Sequence, residues 1–262
     1  MPEGHTIHRV ARDHTADLAG HPARVSSPQG RFVEGAARID GHIPLRFEAW
    51  GKHEFGYFDT GDVLHVHLGL IGKWARHPAP APEPVGQVRL RLEGADHTWD
   101  LSGPNVCTIV TPEEADARIA ALGPDPLRRD ADPDRFVARV RRSGAPIATL
   151  LLDQSVIAGV GNVYRAEVLW VLGIDPRRPG RSIPEAQLRE MWDWLVAQLR
   201  VGVRRNRIVT VDPAELGKAI RLVRRGEGVA VYHQEACRRC GGPFSTLEVT
   251  GRRIEACPTC QT

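Results

Sequence analysis

From Cys237 to Cys260 the chain reads CRRCGGPFSTLEVTGRRIEACPTC, two Cys-x2-Cys pairs separated by sixteen residues. Pairs at this separation are the ligand pattern of a four-thiolate zinc site, each pair offering both sulfurs to one metal at a tight knuckle. Between them, Gly241-Gly242-Pro243-Phe244 through Thr250-Gly251-Arg252-Arg253 reads as two short strands and a turn. The expectation is a β-hairpin pinned by one structural Zn2+ on Cys237, Cys240, Cys257 and Cys260. Two disulfides would need an oxidising compartment, and the start Met1-Pro2-Glu3-Gly4-His5-Thr6 lacks the basic region and apolar core of a signal peptide. The chain is therefore read as cytoplasmic, nucleoid-associated if bacterial. With all four positions held by protein, such a metal is structural, and the chemistry must lie elsewhere.

Working outward, 262 residues with 42% hydrophobic content can hold one large domain or two smaller ones plus the finger. No apolar run reaches the roughly 18 residues of a membrane span. The net charge of +3 says little, but its distribution says more: Arg177 to Arg225 carries twelve Arg and Lys against five Asp and Glu. That is the footprint expected of a phosphate-binding surface, although a solvated helix face would look alike. Only Lys52, Lys73 and Lys218 stand against 32 arginines, a bias that singles out each lysine.

Residues 1 to 122 read as β-rich, after a helix from Ile7 to Leu18 with Val10, His14 and Leu18 at helical spacing. Strands are predicted over Arg46–Trp50, Glu54–Phe58, Val63–Leu68, Val88–Leu92 and Thr98–Leu101, a spacing that suggests a sandwich or barrel. Pro78 to Pro84 is read as an exposed loop, and Leu122-Gly123-Pro124-Asp125-Pro126 as a linker. Helices follow: Pro133 to Arg142 behind an Asp132 cap, Pro146 to Leu152, Asn162 to Leu172, and Pro184 to about Val203. The expected domains are 1–122, 123–228 and 229–262. His65 and His67 share a strand face, a pattern more often structural, and Cys107 reads as a core thiol.

Leu151-Leu152-Asp153-Gln154-Ser155-Val156-Ile157-Ala158-Gly159-Val160-Gly161-Asn162-Val163-Tyr164 carries Gly-Val-Gly-Asn at a helix start. Two glycines let backbone approach a ligand, and a helix N-terminus offers free N–H groups to an anion. Taken with Pro2-Glu3-Gly4, Trp50-Gly51-Lys52, His67-Leu68-Gly69-Leu70-Ile71-Gly72, Leu122-Gly123-Pro124-Asp125-Pro126-Leu127 and Gly251-Arg252 through Cys257-Pro258-Thr259-Cys260-Gln261, this segment resembles the formamidopyrimidine-DNA glycosylase and endonuclease VIII family. The match runs the whole length in order.

The resemblance implies an α+β multidomain fold: an N-terminal two-sheet β-sandwich with an N-terminal helix, a helix–two-turn–helix domain, and a C-terminal β-hairpin zinc finger. It implies a bifunctional DNA glycosylase and abasic-site lyase, acting as a monomer on damaged DNA by β- or β,δ-elimination. The catalytic group would be Pro2, Glu3 and Lys52. The amine of Pro2, freed by loss of Met1, would attack C1′ of the sugar and form a Schiff base; an α-amine titrates near about pH 8, so part of it is neutral at pH 7. Glu3 would be the general acid/base in sugar ring opening. Lys52, Asn162 and Arg252 would hold backbone phosphate, the guanidinium in bidentate fashion. Leu70 would wedge into the stack where the target base is flipped out, aided by residues of the Ser102–Asn105 region.

Thr6 stands where the family often has a carboxylate, which bears on the lesion pocket and not on Pro2 or Glu3. The start Pro2-Glu3-Gly4 leans toward the endonuclease VIII branch, whose preference is for oxidised pyrimidines. The alternatives are a glycosylase preferring oxidised purines or formamidopyrimidines, a non-catalytic damaged-DNA-binding protein of the same fold, and an unrelated zinc-ribbon protein. The last leaves the N-terminal match unexplained.

Overall fold

The computed structural model describes residues 2–212, 214–224 and 226–262, with the backbone alone at Ile220. The chain divides into two compact units, Met1–Ala121 and Leu122–Thr262.

The first unit begins with α1 (Gly4–Leu18), three residues earlier than its apolar spacing suggests, because Glu3 takes the cap position in extended conformation. Strands β1 (Arg24–Ser26), β2 (Pro44–Trp50), β3 (His53–Phe58), β4 (Val63–His67), β5 (Lys73–Pro78), β6 (Val88–Glu93), β7 (His97–Ser102) and β8 (Val106–Val110) follow, with α2 (Val33–Ile39) after β1 and α3 (Pro112–Ala120) after β8. They form two four-stranded antiparallel sheets, ordered β1-β6-β7-β5 and β2-β3-β4-β8. Period-two alternation sends Phe47, Phe58, Leu64 and Val66 from one sheet and Leu90, Leu92 and Leu101 from the other into one core, which Ile7, Ala11 and Leu18 of α1 complete. The opposite face of the second sheet packs Phe55, Val63 and Val110 against Ala115 of α3. This is the expected sandwich. Five elements lie outside the sequence expectation: β1, α2, β5, β8 and α3. The last nonetheless has a full capping box, Thr111 with Glu114, behind Pro112.

Among the polar residues buried in the first unit, His14 lies at the sandwich core. Its ring is fully buried among the edges of Phe47, Trp74 and Trp99, and Nδ1 meets Glu54 Oε1 at 2.7 Å.

The second unit holds α4 (Pro133–Arg141), α5 (Ile147–Leu150), α6 (Asn162–Val171), α7 (Glu185–Arg205) and the hairpin β9 (Ser245–Val249) with β10 (Arg252–Ala256). The Asp132 cap is present, its side chain accepting from the Asp134 N–H. Helix α5 is shorter than expected, since Pro146 sits outside it as the cap residue. Segment 123–126, read from sequence as a linker, opens the second unit and is buried there: Gly123 N–H donates to Gln154 O and Ala158 N–H to Pro124 O. A Cβ at Gly123 would lie 2.5 Å from the Val156 carbonyl carbon, so only glycine fits. One core joins Phe136, Leu151, Tyr164, Leu169, Leu188 and Leu195 to Val249, Ile254 and Cys257 of the finger. Among the described residues, no helix is long and apolar enough to cross a membrane.

Candidate active site and metal centre

Pro2 is half-buried and Glu3 is wholly buried at the N-terminal end of α1, where the helix presents its positive dipole end. The helix runs antiparallel to β2: Gly20 N–H donates to Pro44 O, and Phe47 N–H donates to Thr15 Oγ1. From Thr15 back to Gly4 is a rise of about 16 Å. From Phe47 to Lys52 along β2 is about the same distance. The start of α1 and the turn carrying Lys52 therefore lie at the same end of this unit. That turn is a two-residue connection, Trp50 pairing with His53, and Gly51 at φ 59° supplies the positive φ it needs at its first position.

Beside Lys52 lies a histidine cluster on the α3 face of the sheet. His53 Nδ1 is 2.9 Å from His65 Nε2, His65 stacks on Phe55, and the His53 and His67 ring centroids are 4.7 Å apart. Burial first, then neighbouring cations, push His53 down to about 4 and His65 to about 3; His67 moves down by burial and by Lys52. Burial likewise pushes His5 down to about 4. His53, His65 and His5 are thus held neutral at pH 7, and the positive charges beside the cluster are those of Lys52 and Arg118.

Leu70 sits at the tip between β4 and β5 with 64% of its surface exposed, and its neighbour Ile71 is 84% exposed. Two adjacent bare aliphatics on one turn are unusual for a soluble surface. Ile71 is absent from the sequence-based site set. The Ser102–Asn105 loop lies against this tip, since Asn105 N–H donates to His67 O and a Cβ on Gly69 would meet Asn105 Cβ at 2.9 Å.

In the second unit, Gln154 stitches the two turns before α6. Its Nε2 donates to Leu152 O and Val160 O, and its Oε1 accepts from Gly159 N–H, where φ is 92°. Asn162 is the first residue of α6. One turn on, the buried Arg165 donates from Nη2 to Asn162 Oδ1 at 3.3 Å and to Arg253 O at 2.7 Å. Helix start and hairpin are thus brought together, with Arg252 exposed on β10. The hairpin turn, Thr250-Gly251, has φ positive at both residues, and Thr250 Oγ1 lies 2.9 Å from Thr149 Oγ1. Glu167, wholly buried, accepts from Thr210 Oγ1 and from the N–H groups of Ala230, Val231 and Tyr232, tying the approach to the finger onto the same helix. Neither Arg165 nor Glu167 stands among the sequence-based site residues, although two charges inside Asn162-Val163-Tyr164-Arg165-Ala166-Glu167-Val168-Leu169-Trp170 are a signal: such residues are buried only when paired.

The four cysteine sulfurs lie within 4.8 Å of one another, and all four thiols are free. Cys240 to Cys257 is 3.5 Å and Cys237 to Cys260 is 3.9 Å. Tetrahedral thiolates at about 2.3 Å from zinc would be about 3.8 Å apart, so the quartet fits a metal ion and not two disulfides. Against burial, which opposes it, hydrogen bonds from Trp170 and backbone N–H groups hold the Cys237 thiol down to about 6. Burial and the neighbouring thiols push Cys260 up to about 12. Four sulfurs this close cannot all ionise without a cation among them. Cys107, half-buried and pushed up to about 12 by burial, is an inert core thiol.

The chain matches two family models, the formamidopyrimidine-DNA glycosylase N-terminal domain over residues 1–102 and the H2TH domain of the same glycosylase over 122–213. It is 47% identical to a Mycobacterium tuberculosis protein named endonuclease 8 1, covering 100% of both chains. It is 33% identical to a Nocardioides protein named formamidopyrimidine-DNA glycosylase, over 98% of this chain and 88% of that one. The crystal structure of the Lactococcus lactis formamidopyrimidine-DNA glycosylase, non-covalently bound to DNA with an abasic site, superposes with a TM-score of 0.81 at 22% identity, covering 99% of each chain.

Proposed function

The chain belongs to the formamidopyrimidine-DNA glycosylase family of DNA repair enzymes, and on that premise we propose that it excises oxidised bases, chiefly pyrimidines, and then cleaves the abasic strand. The observation that carries this is Pro2-Glu3 at the head of α1, the carboxyl wholly buried and the proline half-open, at the end of the unit that also holds Lys52. With Met1 removed, the neutral secondary amine of Pro2 attacks C1′. The C1′–N bond to the base breaks, the base leaving with the proton shed by the Pro2 nitrogen, and Glu3 delivers a proton to the ring oxygen as the C1′–O4′ bond opens to the iminium. The resulting iminium acidifies the C2′ hydrogens, so that loss of one expels the 3′ phosphate (β-elimination); in the β,δ alternative a second elimination expels the 5′ phosphate.

Lys52 in the first unit and Asn162 and Arg252 in the second bind backbone phosphate. The Arg165 bond to Asn162 Oδ1 supports this for Asn162, because it turns the donor end of the amide away from the guanidinium. Leu70, with Ile71 beside it, fills the gap left by the flipped base; exposed aliphatics serve this purpose because they unstack base steps. The four cysteines hold one Zn2+, which has no preferred geometry of its own and suits a closed thiolate tetrahedron. The protein acts as a monomer. The pyrimidine preference rests on Pro2-Glu3-Gly4 and on likeness to proteins named endonuclease 8.

The deciding experiment is borohydride trapping on an abasic-site oligonucleotide, with excision measured on a panel of oxidised pyrimidines and purines. A covalent adduct lost in Pro2→Gly is expected. Excision without an adduct would make the enzyme monofunctional, and faster release of oxidised purines would overturn the pyrimidine preference.

A further inference from the structure

The C-terminal turn of α6 and the first cysteine knuckle are bonded to each other in both directions. The indole of Trp170 is buried, and its Nε1–H donates to Cys237 Sγ at 3.2 Å. Arg239, between the first two cysteines, lies over that same indole, its Cζ 4.3 Å from the ring centroid. It donates from Nη1 to Trp170 O at 2.8 Å and from Nη2 to Val171 O at 2.6 Å. Those carbonyls belong to the last turn of the helix, where intrahelical donors run out; that of Trp170 also accepts from Gly173 N–H at 3.1 Å. The knuckle thus caps the helix, and the helix gives the knuckle a buried donor aimed at a sulfur.

A buried indole N–H needs an acceptor, and an ionised sulfur is a far better one than a thiol. Apolar packing alone would be served equally by a phenyl ring, with no polar atom to satisfy.

We propose that Trp170 and Arg239 form the outer shell of the metal centre: Trp170 positions Cys237 as a thiolate ligand, and metal occupancy in turn fixes the last turn of α6. This rests on the reading of the four cysteines as a metal site. Donors behind metal ligands orient them and favour the charged form, and their loss commonly weakens metal binding about tenfold to a hundredfold. The coupling also gives α6 a part in metal loading, the same helix whose first residue is Asn162.

The test compares the full-length wild type with Trp170→Phe, which keeps a ring and loses the donor, and with Arg239→Ala, which removes an exposed side chain. Zinc affinity is measured by competition with a chromophoric chelator. Co2+ titration reports thiolate ligation through sulfur-to-cobalt charge-transfer absorption. Trp170→Phe should bind zinc about tenfold or more weakly, with Arg239→Ala shifted in the same direction. Stripping zinc from the wild type should alter tryptophan emission, and that change should be missing from Trp170→Phe. A wild type that takes up neither zinc nor cobalt refutes the four-thiolate site itself. A wild type that binds zinc, beside folded variants that bind it equally well, overturns the outer-shell role alone. Should Trp170→Phe not fold, Arg239→Ala decides, and unchanged affinity there overturns the proposal.

Discussion

Arg165 donates to the backbone carbonyl of Arg253 at 2.7 Å from inside a helix in which it is 1% exposed. The same Nη2 reaches Asn162 Oδ1. A single buried cation therefore sets the spacing between the start of α6 and strand β10. Removing it takes the donor from the Arg253 carbonyl and leaves a cavity. Arg165→Leu should loosen β10, raising amide hydrogen exchange over Arg252–Ala256, and weaken DNA binding while the cysteines still hold metal. Unchanged exchange at β10 would show that the core, and not this bond, fixes the hairpin.

Glu3→Gln preserves volume and removes the acid. Excision should fall by about two to four orders of magnitude, the usual span for general acid–base catalysis. DNA affinity should stay near wild type, since the residue is buried and binds no phosphate in the proposed scheme. Affinity lost in proportion to turnover would make Glu3 a structural cap of α1.

Arg252→Ala tests the phosphate contact. Log affinity against log salt should flatten by about 0.9, the loss of one released counterion. Asn162→Ala should weaken binding with little change of slope, because an amide neutralises no charge. Lesion preference should survive both, since phosphate contacts position and do not specify. A switch of preferred lesion in Arg252→Ala would mean that it reads the base.

Cys257→Ser removes one thiol of the proposed metal site, a residue whose backbone N–H donates to Gln261 Oε1 and which itself belongs to the core of the second unit. Zinc content measured by atomic absorption should drop from one ion toward none, and β9 and β10 should lose exchange protection. The first unit has its own core and should melt as in the wild type. A hairpin that stays protected without metal would sink the pinning role.

The histidine cluster predicts acid sensitivity. His53 and His65 are held down to about 4 and about 3, first by burial and then by neighbouring charge: His67, Arg118 and Lys52 around His53, and His53, Arg118 and His67 around His65. Unfolded histidine titrates near about 6.5. Below that pH the unfolded chain takes up protons that the folded chain refuses, so stability falls from about pH 6.5 toward the folded values and is level above. The melting temperature of the wild type should drop on this limb. His65→Phe, which can keep the stack on Phe55, should flatten it between about pH 6.5 and 5. Identical limbs in the two proteins would assign the acid sensitivity to other groups.

The sequence by itself determined what local chemistry dictates. Cysteine spacing named the four thiols, since two knuckles need only a few residues each to form. Alternation placed five strands, because the side-chain period depends on backbone geometry alone. Apolar recurrence placed α1, α6 and α7, the Asp132 cap placed α4, and ordered motifs from Pro2 to Gln261 carried the family. The shorter or atypical elements were lost: β1 is only three residues long, β5 and β8 lack clean alternation, and α2 is too brief for a period. The capping box of α3 is a local signal, legible in Thr111-Pro112-Glu113-Glu114, for a helix that apolar periodicity does not reveal.

Only the tertiary structure decided which distant groups meet. That Arg165 serves β10, that Glu167 gathers N–H groups some 63 to 65 positions away, and that Trp170 faces Cys237 follow from how α6 packs. The physical reason is that a buried charge or N–H takes whatever partner the fold brings to it. Sequence shows that a partner is needed, and packing alone says which one it is.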